Sequence, residues 1–354
     1  MARIMIGGAG GAPSNNFIKS LRTSGDGDYL IGICSVPTDL FLADTDEKYI
    51  VPYAVEPHFF DRLEAVIKKS RPDFLHSQHD FEVRRISRDR EKIQKLGVKL
   101  FLPSAQTVED CVDKSRSYSI WRQAGLPVPE TVVVSDENVL KQAFEAFGGK
   151  VWLRATEGGG GRGALPTDSY DFASLWIDRF RGWGQFTAAK CMTSQTVTWL
   201  SIWYEGELVV AQQRKRRRWS FADRTLSGVT GITGVGETSS DPSVDDMALA
   251  AIRSVDSRPH GIFSVDMTYD EKGRPNPTEI NIGRFFTTHY FFAKAGVNFA
   301  KIYKDLALYG KWPDLPKKIN PLPDGLLWIR GMDVEPVLTT VEELKRLESE
   351  SQFN

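Results

Sequence analysis

Three oxygen-bearing side chains late in the chain, Asp266, Glu279 and Asn281, have the types and spacing of a hard-metal site. Asp266 lies in the apolar run GIFSVDMTY, and Glu279 and Asn281 lie in NPTEINI, on the far side of a turn-forming stretch around Lys272–Gly273. Residues two apart on a strand share a face, so Glu279 and Asn281 point the same way. A hairpin symmetric about Lys272–Gly273 brings Asp266 opposite Glu279, and Pro275 and Pro277 are the residues able to disturb that register. Two carboxylates and an amide oxygen suit Mg²⁺, which takes a few protein oxygens and completes its octahedron with phosphate and water. Taken alone, the same residues also describe a solvated acidic hairpin.

A second stretch, RATEGGGGRG at 154–163, is bare backbone between two basic residues, Arg154 and Arg162. A Walker loop needs Gly-Lys followed by Ser or Thr, and neither Gly149-Lys150-Val151 nor Gly310-Lys311-Trp312 supplies it. A flexible linker is longer and Gly/Ser-rich. A tight structural turn remains open, beside a loop whose amides close on a polyphosphate while Arg154 and Arg162 match its charge.

Other candidates are less specific. IGGAGGAP (6–13) fails the dinucleotide fingerprint, because Pro13 stands where the third glycine belongs, and a tight strand-to-helix turn is the better reading. The run RKRRR (214–218) alternates on a strand, with Arg214, Arg216 and Arg218 on one face and Lys215 and Arg217 on the other. It fits a solvated face, an anion site for a γ-phosphate or acidic substrate, or, least well in a charge-balanced chain, nucleic acid. The Gly/Thr-rich stretch 223–238 fits a substrate loop or a plain surface loop. His76 and His79 have too few clustered partners for a metal and read as polar loop residues, and FFTTHYFF (285–292) reads as core, with His289 able to touch substrate.

The elements that must hold these residues alternate at first. Strands are expected at 2–6, 29–35, 73–77 and 98–103, with helices at 15–24 and 57–72 between them. That order implies a parallel, doubly wound sheet, whose ligands bind beyond the strands' carboxyl ends. From about residue 107 the texture changes to a helix at 107–125, a turn leading into a β-branched strand at 126–134, a helix at 135–148 capped by Ser135, and a strand at 149–155. A helical stretch at 168–182 follows, then strands at 185–190 and 196–216 with a hairpin turn at Glu205–Gly206, a helix at 241–257 and the late hairpin.

At 354 residues the chain is long enough for two or three globular units. Lys plus Arg (45) balance Asp plus Glu (46), so no net field recruits nucleic acid or an anionic membrane. Cys34, Cys111 and Cys191 form no CxxC pair, which fits a reducing compartment. No apolar run approaches a membrane span; the expected location is cytoplasmic.

In order along the chain, DKSRSYSIWRQAGLPVPET, VWLRATEGGGGRG and FSVDMTYDEKGRPNPTEINIGRF together resemble the ATP-grasp superfamily, nearest to its carbamoyl-phosphate-synthase-like and carboxylate–amine ligase branches. The resemblance covers roughly residues 1–300 and implies an N-terminal α/β domain (1–106) before a two-lobed grasp. The small lobe (107–190) carries the glycine lid, the large lobe (191–330) carries the metal and substrate site, and a charged helix or tail follows (331–354). It implies that Lys114, with Arg116 as the competing choice, and Arg154 reach the nucleotide. Gly158, Gly159, Gly160, Gly161, Arg162 and Gly163 then form the lid, and Asp266, Glu279 and Asn281 hold Mg²⁺, with Mn²⁺ as the alternative ion. Arg284 matches the family's phosphate-steadying arginine but falls three residues after the asparagine instead of two, and Arg214 and Arg216 join it as catalytic candidates. Where the family places an acidic residue beside adenine and ribose, this chain has Lys190 and Gln195.

The implied activity is ATP-dependent ligation of a small-molecule carboxylate to an amine through an acyl phosphate, forming ADP. Carboxyphosphate or carbamoyl-phosphate chemistry and a catalytically silent ATP-binding regulator are the rivals, and a homodimer is the family habit.

Overall fold

The structure is a computed structural model that describes residues 1–158, 161–332 and 337–350. Its first unit is a parallel sheet of β1 (Arg3–Gly7), β2 (Tyr29–Cys34), β3 (Glu47–Ile50) and β4 (Phe74–Ser77), in the order β3-β2-β1-β4. The apolar strands β1, β2 and β4 follow the sequence expectation. The fourth strand does not: it is EKYI at 47–50, whereas 98–103 contributes only the single bridge of Lys99 to Phe74. Lys99 exchanges two backbone bonds with Asp73 and Leu75, and the run ends at Pro103, which has no amide to extend a ladder.

The small lobe is a second sheet, β5 (Thr131–Val133), β6 (Val151–Ala155), β7 (Leu165–Thr167) and β8 (Phe186–Lys190), ordered β5-β8-β6-β7 and antiparallel. Its leading helix, Glu137–Ala146, is capped by Asp136, whose carboxylate accepts from the Val139 amide, and not by Ser135. The single helix expected at 107–125 is two, Ala105–Val112 and Lys114–Gln123. Asp113 leaves the helical region (φ −87°, ψ 108°) and its carboxylate caps the Ser115 and Arg116 amides, starting a new helix with Lys114 in its first turn.

The large lobe is a seven-stranded antiparallel sheet: β9 (Thr196–Tyr204), β10 (Glu207–Trp219), β11 (Thr233–Ser239), β12 (Gly261–Tyr269), β13 (Pro275–Ile282), β14 (Leu326–Ile329) and β15 (Val337–Thr340), ordered β13-β12-β9-β10-β11-β14-β15. Glu205 and Gly206 form the two-residue turn between β9 and β10, both with positive φ (49° and 92°), as a hairpin turn matched to strand twist requires. A charged helix, Val341–Glu350, closes the described chain. Residues 351–354 of the expected tail lie outside the described residues.

Packing joins these units unequally. Two apolar cores each mix side chains of the parallel sheet with those of the large sheet: Met5, Ile31 and Leu75 share one with Trp199 and Phe263, while Ile4, Leu30 and Phe74 share the other with Ile202 and Ile262. The small lobe has a core of its own, drawn from residues between Val134 and Ala188.

Candidate active site

All three sheets contribute to one cleft of about 590 Å³. From the large sheet come Asp266, Glu279, Asn281, Arg214, Arg216 and Trp219; from the small lobe Lys114, Trp152, Arg154, Gly158, Gly161 and Arg162; from the parallel sheet's carboxyl end Pro13, Gln78, His79 and Asp80. Six cations face three carboxylates there, so the cleft carries a surplus of positive charge suited to an anion. A larger recess of about 660 Å³ on the first unit, lined by Tyr53, His58, Asp61 and Arg62 among others, is open to solvent and contains none of the sequence-derived site residues.

The acidic patch is built by register. Asp266 pairs with Glu279 across β12 and β13, and Ser264 with Asn281. The proline-containing arm does shift the ladder: Met267 pairs with Pro277, leaving Thr278 as a bulge that restores the expected pairing one step later. The Asp266 carboxylate accepts from the Thr198 hydroxyl (2.5 Å) and from the Asn281 amide nitrogen (3.0 Å). Glu279 lies 3.4 Å from the Lys114 ammonium and 3.9 Å from the Arg154 guanidinium. Among the described residues no three His, Cys, Asp or Glu side chains converge as a metal cage; the donor set is two carboxylates and one amide.

Lys114 is buried and also donates to the Gly158 carbonyl (2.7 Å), while Arg154 donates to the Thr278 carbonyl (2.7 Å). Both basic side chains thus bridge the base of the glycine-rich loop to the acidic hairpin. Arg116 instead is half-exposed beside Asp110 and Asp113. Glu157, just before the glycines, pairs with Arg84 of the first unit at 3.2 Å.

The glycines divide by role. Gly158 (φ 91°) and Gly161 (φ 73°) border the cleft, and a Cβ on Gly161 would lie 2.8 Å from the Val229 carbonyl, where the Gly/Thr-rich stretch meets the glycine-rich loop. Gly163 is bare for packing: a Cβ there would lie 2.5 Å from the Phe186 ring. Gly159 and Gly160 lie outside the described residues.

Of the basic run, Arg214 and Arg216 enter the cleft, but Arg218 does not join them. The ladder with β11 slips between Arg216 and Arg218, so Arg218 faces solvent and Trp219 turns inward. Arg214 is 1% exposed and donates to the hydroxyls of Thr233 (2.7 Å), Thr288 (3.1 Å) and Thr198 (2.6 Å), with Phe286 4.5 Å from its guanidinium carbon. Among the described residues its Nε has no partner. Burial, and then the neighbouring Arg216, pull its pKa down to about 9. Arg216 donates to Thr233 and Thr196, lies 3.8 Å from Asp266 and stacks on Trp219 at 3.6 Å. Two neighbouring guanidiniums met mainly by neutral hydroxyls are poised for an added anion.

Arg284 donates to the Asn281 amide oxygen (2.5 Å) and to the Asp80 carboxylate. Lys190 and Gln195 stand apart: the Lys190 side chain is exposed and its amide donates to the Glu130 carbonyl, and Gln195 is exposed with its carbonyl accepting from Tyr269. His76 is not a loop residue. It lies within β4, inside the aromatic core with Phe17, Phe285 and Tyr303, and burial brings its pKa to about 3. His289 is likewise buried, stacked on Phe285 and away from the cleft. Sequence reasoning missed Asp80 and the threonines around Arg214; the Gly/Thr-rich stretch does supply Val229 to Thr233 of the wall.

No family model matches the chain. Over 128 residues, 34% of its length, it is 30% identical to the arginine-specific large chain of carbamoyl phosphate synthase from Bacillus subtilis, a match spanning 12% of that protein. Over 129 residues it is 30% identical to a pyruvate carboxylase subunit from Methanothermobacter thermautotrophicus, spanning 26% of it. Solved structures match far more of the chain. N5-carboxyaminoimidazole synthetase from Staphylococcus aureus, complexed with ADP, superposes with TM-score 0.70 at 15% identity over 99% of this chain and 85% of that one. Biotin carboxylase from Campylobacter jejuni gives 0.69 at 17% identity over 93% and 75%, and L-amino acid ligase from Bacillus licheniformis 0.67 at 12% over 98% and 85%. With a parallel sheet leading into two antiparallel lobes that close on one cleft, in the arrangement of these enzymes, the chain has the ATP-grasp fold.

Proposed function

We propose that the chain is an ADP-forming ligase that uses Mg·ATP to activate a small carboxylate as an acyl phosphate and joins it to an amine. The observation that carries this reading is the opposition, in one cleft, of the acidic set Asp266, Glu279 and Asn281 to Lys114, Arg154, Arg162 and the bordering Gly158 and Gly161, with Arg214 and Arg216, held mainly by threonine hydroxyls, beyond. The hard-oxygen set fits Mg²⁺, with Mn²⁺ as the alternative, because its oxygens are held by exchangeable donors and leave room for phosphate and water ligands. When bound, the ion neutralises phosphate charge during transfer.

This chain's own residues then do the positioning. Lys114 and Arg154 exchange the Gly158 and Thr278 carbonyls for phosphate oxygens, and Arg162 and the glycines cover them. Arg214 and Arg216 hold the substrate carboxylate or the transferring phosphoryl group, and Arg284 donates beside it. Positioning and preorganised charge suffice for phosphoryl transfer, and no protein nucleophile is required. Lys190 and Gln195, outside the lining of the cleft, would meet the nucleotide in this reading only through their exposed side chains. A second reading, activation of bicarbonate as carboxyphosphate, draws on the names of the carboxylases and synthetases that the chain resembles.

Phosphate release from Mg·ATP, measured with bicarbonate excluded and with a panel of amino acids and small carboxylates paired with amines, separates these readings. Acceptor-dependent release without bicarbonate supports ligation, release only with bicarbonate supports carboxyphosphate, and ATP binding without release under any condition supports a silent regulator. Asp266→Ala and Glu279→Ala are each expected to lower turnover at least ~100-fold, and EDTA to abolish it; a fully active Glu279→Ala variant sinks the metal assignment.

A further inference from the structure

Besides apolar packing, the first unit meets the acidic hairpin through a charged pair. Asp80 opens the helix Asp80–Arg88, where a helix N-terminus favours a carboxylate, and it pairs with Arg284. Arg284 is brought there by Gly283, which takes φ 67° and lies so close to this helix that a Cβ would fall 2.8 Å from Val83. The guanidinium also donates to Asn281, whose amide nitrogen donates to Asp266, whose other oxygen accepts from Thr198. A continuous run of polar contacts therefore joins the first unit to both acidic strands.

We infer that Asp80 is a positioning residue for the metal site: it balances the charge of Arg284 and fixes that side chain as a donor to the Asn281 oxygen, instead of a competitor for the carboxylates of Asp266 and Glu279. The inference rests on the Mg·ATP reading above. The Asn281 oxygen keeps a second lone pair while Arg284 occupies the first, so the contact orients the amide without closing it to an ion. Without the Asp80 charge, an uncompensated guanidinium three residues from Asn281 repels a divalent cation and is free to swing onto the hairpin carboxylates. Both effects weaken metal binding.

The test is direct binding of Mn²⁺ with ADP, followed by the electron paramagnetic resonance of free Mn²⁺, so that no substrate need be known. Asp80→Asn is expected to weaken binding roughly tenfold, the effect of one nearby charge in a partly solvated site, and Asp80→Glu to restore most of it. In an Arg284→Met background, Asp80→Asn is expected to change nothing. Asp80→Asn binding as tightly as the parent overturns the inference, as does an equal loss in the Arg284→Met background. A parent protein that binds no Mn²⁺ with ADP overturns the Mg·ATP reading itself, and this inference with it.

Discussion

Arg214 sits almost wholly buried in the wall of the cleft, its guanidinium held by the hydroxyls of Thr198, Thr233 and Thr288. The sequence displays five basic residues in a row, and simple alternation sends three of them inward; one slipped pairing around Arg217 replaces Arg218 by Trp219. Local bulges of this kind depend on the neighbouring strand, which no single segment encodes. Asp80 was illegible for a related reason: its partner is 204 positions away. By contrast Asp266, Glu279 and Asn281 were legible because strand periodicity and one turn fix their common face. Arg214→Met is expected to change stability by no more than about 1–3 kcal/mol, because removal of a poorly compensated buried charge offsets the loss of the donor to the Thr198, Thr233 and Thr288 hydroxyls. Phosphate release should fall at least ~100-fold, and thermal melts with turnover assays check both. Glu82 offers a pH test. It is fully buried beneath Gly7, accepts from Ser77 at 2.7 Å, and burial raises its pKa to about 7. The folded state therefore binds a proton that the unfolded chain releases at ordinary carboxylate pH. This group's contribution favours folding at pH 4 and is lost progressively as pH rises from there to about 7. Glu82→Gln should flatten that part of the melting-temperature profile between pH 5 and pH 8; an unchanged slope rules Glu82 out as its source.

Among the elements, the helix interrupted at Asp113 matters most to the cleft. Periodicity ran through 107–125 because both halves bury apolar residues, and only the capping geometry divides them. The break puts Lys114 at a helix start, with its amide on the Thr156 carbonyl and its ammonium on Gly158. Asp113→Ala should cost about 1 kcal/mol of stability and, by letting the two helices merge, weaken ADP binding; calorimetric titration and urea melts read the two effects. The last glycine of the glycine-rich loop gives a contrasting case. Gly163→Ala meets Phe186 and a φ of 66°, so a loss of roughly 1–3 kcal/mol is expected. It should be confined to the small lobe and visible as faster amide exchange in β6 and β8.

At the scale of the molecule, the alternation of strands and helices made the parallel sheet legible, but not that it shares its cores with a sheet that begins at Thr196. Sequence texture marks where a unit starts; it does not report which distant face covers it. Unfolding should accordingly divide between the small lobe, with its private core, and a joint body of the parallel and large sheets. Scanning calorimetry is expected to resolve two transitions, with Mg·ADP at a hundredfold excess over its Kd adding about 2.7 kcal/mol to whichever parts bind it. A single transition with equal calorimetric and van't Hoff enthalpies refutes that division. The shared cores also bear on synthesis. Leu102 is packed in a core completed by Trp199 and Phe263. At ribosomal speeds of roughly 5–20 residues per second, about a hundred residues and several seconds separate the first two. Throughout that interval the nascent parallel sheet carries an uncovered apolar face while the small lobe folds at its side. Chaperone dependence during translation should therefore be borne by the first hundred residues, and should end when β9 and β12 leave the ribosome.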